Sequence, residues 1–317
     1  MALALYASLL DAMRGVRWPA RGPVAAAPPG AHHSRMRGSS AEFAEYRPYR
    51  QGDDPRRIDW KLLARTDRAA IRLATERAVL PTTVVVDASA SMAFPEESSG
   101  KWTLAKQLAV GLAAAAHASA DPVGLIVVAG DGTHTLAPRT RSGTVADMMH
   151  VLERTAPAGS APLAVAVRAA HAIARIAIVT DLLGDADALL AAARVHRARG
   201  GEVHLVHVVA VEELEPPRRV LLATDPEDER LERALTDANR TAYQASFAEW
   251  RSEQARAWTA AGAAYHMAIT DVAADRVVRR VTDPRRGEAQ SAAGIPRADS
   301  DRSPQPAAGR SPQRGAP

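Results

Sequence analysis

The sequence predicts an α/β fold, a doubly wound and mostly parallel sheet, with an N-terminal arm ahead of it. Short apolar runs rich in β-branched residues recur at 83–86, 124–129, 175–180, 202–209 and 264–269. Helical patterns separate most of these runs, and strands that are apolar throughout, rather than alternating, belong to a sheet covered on both faces. The stretch 34–80, by contrast, is dense in Arg, Asp and Glu and has no long apolar run.

Residues 1–33 read as a short helix followed by a flexible linker. The apolar start is interrupted by Asp11 and ended by Arg14, short of the roughly 18 to 20 residues a bilayer crossing needs, so neither a membrane span nor a cleaved leader is expected. Pro19, Pro23, Pro28 and Pro29 among Gly and Ala cannot sustain a helix. Residues 34–80 form the arm, in which Phe43, Tyr46, Tyr49, Ile58 and Trp60 interleave with charge. With so little apolar sequence of its own it is expected to pack on the main domain.

That domain is expected over 81–272. Its first strand ends in Asp87, and a helix over 101–120 follows, with Leu104, Leu108 and Leu112 at four-residue spacing and alanines between them. After strand 124–129 the turn Gly130-Asp131-Gly132 leads into an antiparallel partner at 133–137. Helices near 143–154 and 162–173 precede strand 175–180, and helix 185–198 stops at Gly200-Gly201 before strand 202–209. A long helix over about 227–261 returns the chain to the last strand. From 283 to 317 Pro, Arg, Ser, Gly and Ala dominate without periodicity, the composition of a disordered tail.

Composition narrows the chemistry. The 317 residues contain no cysteine, which excludes disulfides and thiolate zinc sites and makes hard oxygens the default metal ligands. A net charge of +4 and only 4% aromatic residues argue against nucleic acid as a partner. The histidines do not cluster: His32 and His33 lie in the linker, and His204 and His207, three apart on a strand, point to opposite faces. There is no GxGxxG, no Gly-Lys-Ser/Thr and no Gly-x-Ser-x-Gly, so phosphate loops and serine-hydrolase elbows are absent. Lys101, Arg139 and Arg141 read as ordinary surface charge at the fringe of the site described next.

In open α/β sheets ligands bind beyond the carboxyl ends of the strands, where the strand order reverses. Asp87 closes the first strand and Asp181 follows Ile176-Ala177-Ile178-Val179-Thr180, so on neighbouring strands the two carboxylates converge. Ser89 and Ser91 follow Asp87 at alternating positions and can turn two hydroxyls to the same point. Such hard oxygen donors suit Mg²⁺, or Mn²⁺, which favours octahedral oxygen coordination.

Asp87-Ala88-Ser89-Ala90-Ser91 at a strand end resembles the metal-ion-dependent adhesion site of von Willebrand factor A domains, Asp-x-Ser-x-Ser completed by a later Thr and a later Asp. Asp181 matches the final Asp, and Ser160 stands where the family has its Thr, with Thr155 and Thr144 as alternatives. The resemblance implies a metal held by Asp87, Ser89, Ser91, Ser160 and Asp181, with an open position filled by a carboxylate from a client protein.

A second resemblance lies upstream. Glu42-Phe43-Ala44-Glu45-Tyr46-Arg47-Pro48-Tyr49, then Gly52-Asp53-Asp54-Pro55-Arg56-Arg57-Ile58-Asp59-Trp60-Lys61 and Ala64-Arg65-Thr66, is similar to the signature of the bacterial domain of unknown function 58 family, and the likeness runs from about 38 to 271. By itself the segment reads as an ion-pair lattice of Asp53, Asp54 and Asp59 with Arg50, Arg56, Arg57 and Arg65, in which Ile58 and Trp60 serve as apolar anchors. Its role is either to pin the arm to the domain or to form a docking face.

Together these readings imply a non-enzymatic, metal-dependent protein-interaction module, cytoplasmic or peripheral to the inner membrane. The family resemblance implies a MoxR-type AAA+ ATPase as partner in assembling or activating client proteins. The rival is a metal-dependent phosphohydrolase using Asp87 and Asp181. It lacks a His or Lys adjacent in sequence to either aspartate.

Overall fold

The computed structural model describes residues 2–21, 29–50, 53, 55–130, 132–170, 174–216, 222–224, 232–234 and 236–283. The expected tail, 283–317, lies outside them apart from Asp283, as does most of the linker between 22 and 28.

The N-terminal helix α1 (Ala2–Ala12) folds onto the domain rather than standing apart: Tyr6, Leu9, Met13 and Trp18 are all buried. The expected linker ends at Pro29, where strand β1 (Pro29–Pro48) begins; it pairs antiparallel with β2 (Ala70–Ala78) through several register shifts. Between them lies α2 (Trp60–Thr66), capped by Asp59, whose Oδ1 accepts the backbone N–H groups of Lys61 and Leu62. The arm is thus a two-stranded ribbon around a short helix.

The main sheet contains β3 (Thr82–Ala88), β4 (Val123–Ala129), β5 (Gly132–Arg139), β6 (Arg175–Thr180), β7 (Glu202–Val209) and, later in the chain, β10 (Ala264–Ile269), in the order β10-β7-β6-β3-β4-β5. All neighbours are parallel except β4 and β5. This is the doubly wound architecture that the apolar runs predict. Strands β3, β4, β6 and β7 are buried at every position. Burying them needs a layer on each face: Val84 and Val86 join one core, under α1, α3 (Gly100–Ala118), α4 (Thr144–Arg154) and α9 (Ala274–Thr282). Val85 joins the other, under α5 (Leu163–Ala169), α6 (Ala186–Ala198) and α8 (Asp237–Ala260).

Three helices differ from expectation, the simplest being α5, which ends at Ala169 rather than near 173 because Ala170 turns extended. The long helix starts at Asp237, ten residues later than its expected start at 227, because Thr236 caps it by accepting the N–H of Asn239. Ahead of it the chain forms a short α7 (Val211–Leu214) and a small hairpin of β8 (Leu222–Thr224) with β9 (Glu232–Ala234). The third difference is α9, just past the expected domain end at 272, which buries Val277, Val278 and Val281 at the i, i+1, i+4 spacing of one helical stripe.

At the amino end of the sheet a buried ionic cluster ties the N-terminal segment down. The fully buried Arg175 guanidinium donates to Glu202 (3.3 Å) and to the carbonyl of Pro19 (2.9 Å), lies 3.6 Å from Asp121, and stacks 4.4 Å from the Trp18 ring. His204 lies 2.6 Å from Glu202 and edge-on to Trp18, and the backbone N–H of Trp18 donates to the Ser119 hydroxyl. Burial holds His204 down at about 4 despite Glu202, so its imidazole is neutral at physiological pH. His204 and His207 do point to opposite faces: His207 contacts Tyr265 and Trp250, while His204 stacks on His266.

Candidate functional site

Beginning with β3, the chain builds β4 and β5 to one side and β6, β7 and β10 to the other, so the order reverses between β3 and β6. At the carboxyl ends of these two strands, where such folds place their ligands, the structure brings together four of the expected residues: Asp87, Ser89, Ser91 and Asp181, all buried. The register pairs Val86 with Val179, which puts Asp87 level with Thr180.

Each group is held by short-range bonds. The Asp87 Oδ1 accepts the Ser89 N–H (2.9 Å), and its Oδ2 accepts the hydroxyl of Thr180 (2.6 Å). Asp181 turns back on its own backbone, Oδ1 accepting the N–H of Leu183 (3.1 Å), while Leu182 between them adopts a left-handed φ of 61°. A branched side chain in that region carries about 1–2 kcal/mol of strain, which is the kind of backbone outlier that accumulates at functional sites. Burial, and then the facing carboxylate of Asp181, push Asp87 up to about 6 against the stabilising donors from Thr180 and Ser89. Two acidic groups are therefore held together in a buried crevice where the charge of one disfavours ionisation of the other.

Whether these residues suit a divalent cation can be judged from the donor set. The Ser89 and Ser91 hydroxyl oxygens lie 3.1 Å apart, close to the ~3.0 Å edge of an octahedron with metal–oxygen bonds of about 2.1 Å. The two hydroxyls bond each other and keep lone pairs to spare, and each carboxylate oxygen has a second lone pair. A positive ion would also relieve the repulsion that raises Asp87. Among the described residues no group of three His, Asp or Glu side chains is arranged to hold a metal by itself, so an ion here would need the serine hydroxyls as well. The residues fit a small hard cation with water completing its shell.

The third loop is placed by backbone contacts. The N–H of Ala90 donates to Gly159 (2.9 Å), that of Ala158 to Ala88 (2.9 Å) and that of Gly130 to Ala158 (2.7 Å), so 158–160 lies against the Asp-x-Ser-x-Ser turn. Gly130 and Gly159 make this approach possible: a Cβ on Gly130 would sit 2.6 Å from the Ala158 carbonyl oxygen, and Gly159 has a φ of +58°. Ser160 itself is exposed beside the crevice. The alternatives Thr155 and Thr144 bond the carbonyls of Val151 and Arg141 at the two ends of α4, where their hydroxyls are already engaged.

Lys101 departs most from the sequence reading. Instead of surface charge it is fully buried, its ammonium 2.7 Å from Asp181 Oδ2 and 2.8 Å from Glu213 Oε1. It occupies the first turn of α3, where the helix dipole disfavours a cation. Burial would lower its pKa, but Asp181 and Glu213 outweigh that and raise it, so Lys101 stays charged. Glu213 is fixed in turn by accepting the N–H of Ala210 at the start of α7 (2.7 Å). Neither partner is near Lys101 in sequence, which is why only the fold reveals the contact. A further depression beside Asp181, about 360 Å³, is lined by Leu182, Leu183, Gly184, Asp185, Trp250 and Gln254 among others.

The arm also departs from expectation. Arg47 pairs with Asp53 (2.7 Å), but Asp59 caps α2 and accepts the Tyr46 hydroxyl, and Trp60, expected to anchor the arm, is 60% exposed. Trp60 opens α2, two residues after the backbone bridge between Ile58 and Ile71.

Among solved structures, the chain is similar to an aerotolerance-related membrane protein from Bacteroides fragilis (19% identity, 64% of this chain and 96% of that one, TM-score 0.43). It is likewise similar to the conserved hypothetical protein BatB from Bacteroides thetaiotaomicron (17% identity, 67% and 98%, TM-score 0.42). Uncharacterized proteins Rv1480 of Mycobacterium tuberculosis and Mb1516 of Mycobacterium bovis are each 31% identical over 162 residues, 49% of this chain. The chain spans about half the length of these curated relatives, the match covering 51% of each. The model of the family described as "Protein of unknown function DUF58" matches residues 45–253, from the arm through most of α8. The chain belongs to the DUF58 family of proteins of unknown function.

Proposed function

We propose that this chain is a divalent-metal-dependent protein-interaction module, in the manner of von Willebrand factor A domains, rather than an enzyme. One observation carries the reading: two buried acidic groups and two serine hydroxyls 3.1 Å apart converge where the strand order reverses. Asp87, Ser89, Ser91 and Asp181 would hold Mg²⁺ or Mn²⁺, directly or through water, with Ser160 on the adjoining loop as a fifth contributor. The ion would supply a Lewis-acidic position for a carboxylate of the client. Neutral hydroxyl ligands leave such a position electron-poor, which favours an anionic partner. We further propose that a MoxR-type AAA+ ATPase works with this chain on client proteins in the cytoplasm or at the inner membrane face; no helix among the described residues is long and apolar enough to cross a membrane.

The phosphohydrolase reading gains one observation, the contact of Lys101 with Asp181. Against it, the ammonium is already paired with two carboxylates, and Thr180, the hydroxyl bonded to Asp87, also accepts the N–H of Leu182. An affinity capture with purified wild type and Asp87→Ala, with and without EDTA, tests the proposal. Partners retained by wild type, lost with EDTA and absent from the variant support it; identical retention in all arms overturns it. Hydrolysis of a generic phosphomonoester that depends on Asp87 would favour the rival.

A further inference from the structure

The buried lysine suggests how the site is regulated. Among the described residues, Asp181 is the expected metal-site residue bonded to a cation of the chain itself, and that cation has a second carboxylate to fall back on. We propose that Lys101 is a tethered counter-ion that competes with the divalent metal for Asp181, and that Glu213 is the acceptor that draws Lys101 aside when the metal enters.

The geometry supports an exchange between two positions. The Lys101 backbone is fixed at the start of α3, its N–H donating to Phe94 (3.1 Å), so only the side chain can move. Glu213 stands on α7, after β7, held by the N–H of Ala210, while Asp181 follows β6. The ammonium bridges the loops after these two neighbouring strands. With no metal it balances one of the two carboxylates of the crevice and keeps Asp181 compatible with burial. With a metal present, Asp181 must turn a lone pair to the ion, and two cations sharing one carboxylate in a buried crevice repel. Glu213 allows Lys101 to remain paired. The consequence is a site of modest intrinsic affinity, because the metal must displace Lys101 from Asp181.

The inference rests on the proposed metal site and is tested with Mn²⁺ alone as the probe, its affinity for the full chain read by electron paramagnetic resonance and calorimetry. Lys101→Met, nearly isosteric, removes the competitor and is expected to bind Mn²⁺ about tenfold or more tighter than wild type. Glu213→Gln removes the fallback acceptor and is expected to bind several-fold more weakly, whereas Lys101→Arg, which keeps the charge, should stay near wild type. The opposite signs of the first two variants separate competition from a purely structural role, which would weaken binding in both. Wild-type or weaker affinity in Lys101→Met, with Mn²⁺ still bound by wild type, overturns the inference and leaves the site reading standing. No Mn²⁺ bound by any of the proteins overturns both. If Lys101→Met does not fold, Glu213→Gln decides: unchanged or tighter binding refutes the competition.

Discussion

Replacing Asp87 by Asn should make the metal-free protein more stable at neutral pH, a test of whether the crevice carries electrostatic tension. Folding raises the Asp87 pKa from an ordinary value of about 3.9 to about 6. The native state therefore binds a proton more tightly than the unfolded chain does. This contribution is fully present below about pH 4 and is lost as pH rises through 6. By pH 7.5 two pKa units correspond to a penalty of about 3 kcal/mol, which Asn does not incur. Asn keeps an acceptor for one of the two donors, Ser89 N–H or the Thr180 hydroxyl, and the loss of the other bond costs about 1 kcal/mol. The net gain is about 1–2 kcal/mol, or a few degrees in Tm for a domain of this size. Urea and thermal unfolding in EDTA at pH 7.5 and 4 would measure it, with the advantage shrinking or reversing at the lower pH. A variant less stable than wild type by the same amount at both pH values would refute the reasoning.

Other perturbations test other parts of the molecule. His204 works in the opposite sense: burial lowers its pKa to about 4, so the unfolded chain takes up the proton first and stability falls as pH drops from about 6.5 to 4. The acid limb should be shallower in His204→Gln, most clearly in an Asp87→Asn background, as read by Tm against pH. Arg175→Met leaves Glu202 and Asp121 buried without their cation and should cost about 3–5 kcal/mol in urea unfolding. Trp60→Ala should change stability by about 0.5 kcal/mol or less because the ring is exposed, and acrylamide should quench Trp60 fluorescence in the folded protein. Gly130→Ala pushes a methyl into the Ala158 carbonyl and should displace the 158–160 loop, weakening Mn²⁺ binding several-fold while the circular dichroism of the sheet persists.

Much of the fold is legible in the sequence because four strands are buried at every position and are filled mostly by β-branched and small apolar residues, with the few buried polar side chains gathered near the strand ends and in the ionic cluster. Asp87 and Asp181 stand out as the first carboxylates after such runs, and Ser89 and Ser91 as hydroxyls on the turn that follows. What escaped depends on long-range pairing. Lys101 looks like any helix-initiating surface cation until the fold sets Asp181 and Glu213 around it. Trp60 reads as an anchor by composition, yet as the first residue of α2 it stands exposed. The Leu and Glu pattern of 227–236 mimics a helix, although the cap at Thr236 marks the true start. Helix α9 is readable from Val277, Val278 and Val281, but its amphipathic stripe is short, and it stands beside sequence with no periodicity at all.

The most direct test of the central claim is calorimetric titration of Mg²⁺ and Mn²⁺ into the metal-free chain beside Asp87→Ala, with folding of both checked by circular dichroism. One saturable site in wild type and none in the folded variant is the predicted result. A folded Asp87→Ala that binds the ions as wild type does would contradict it.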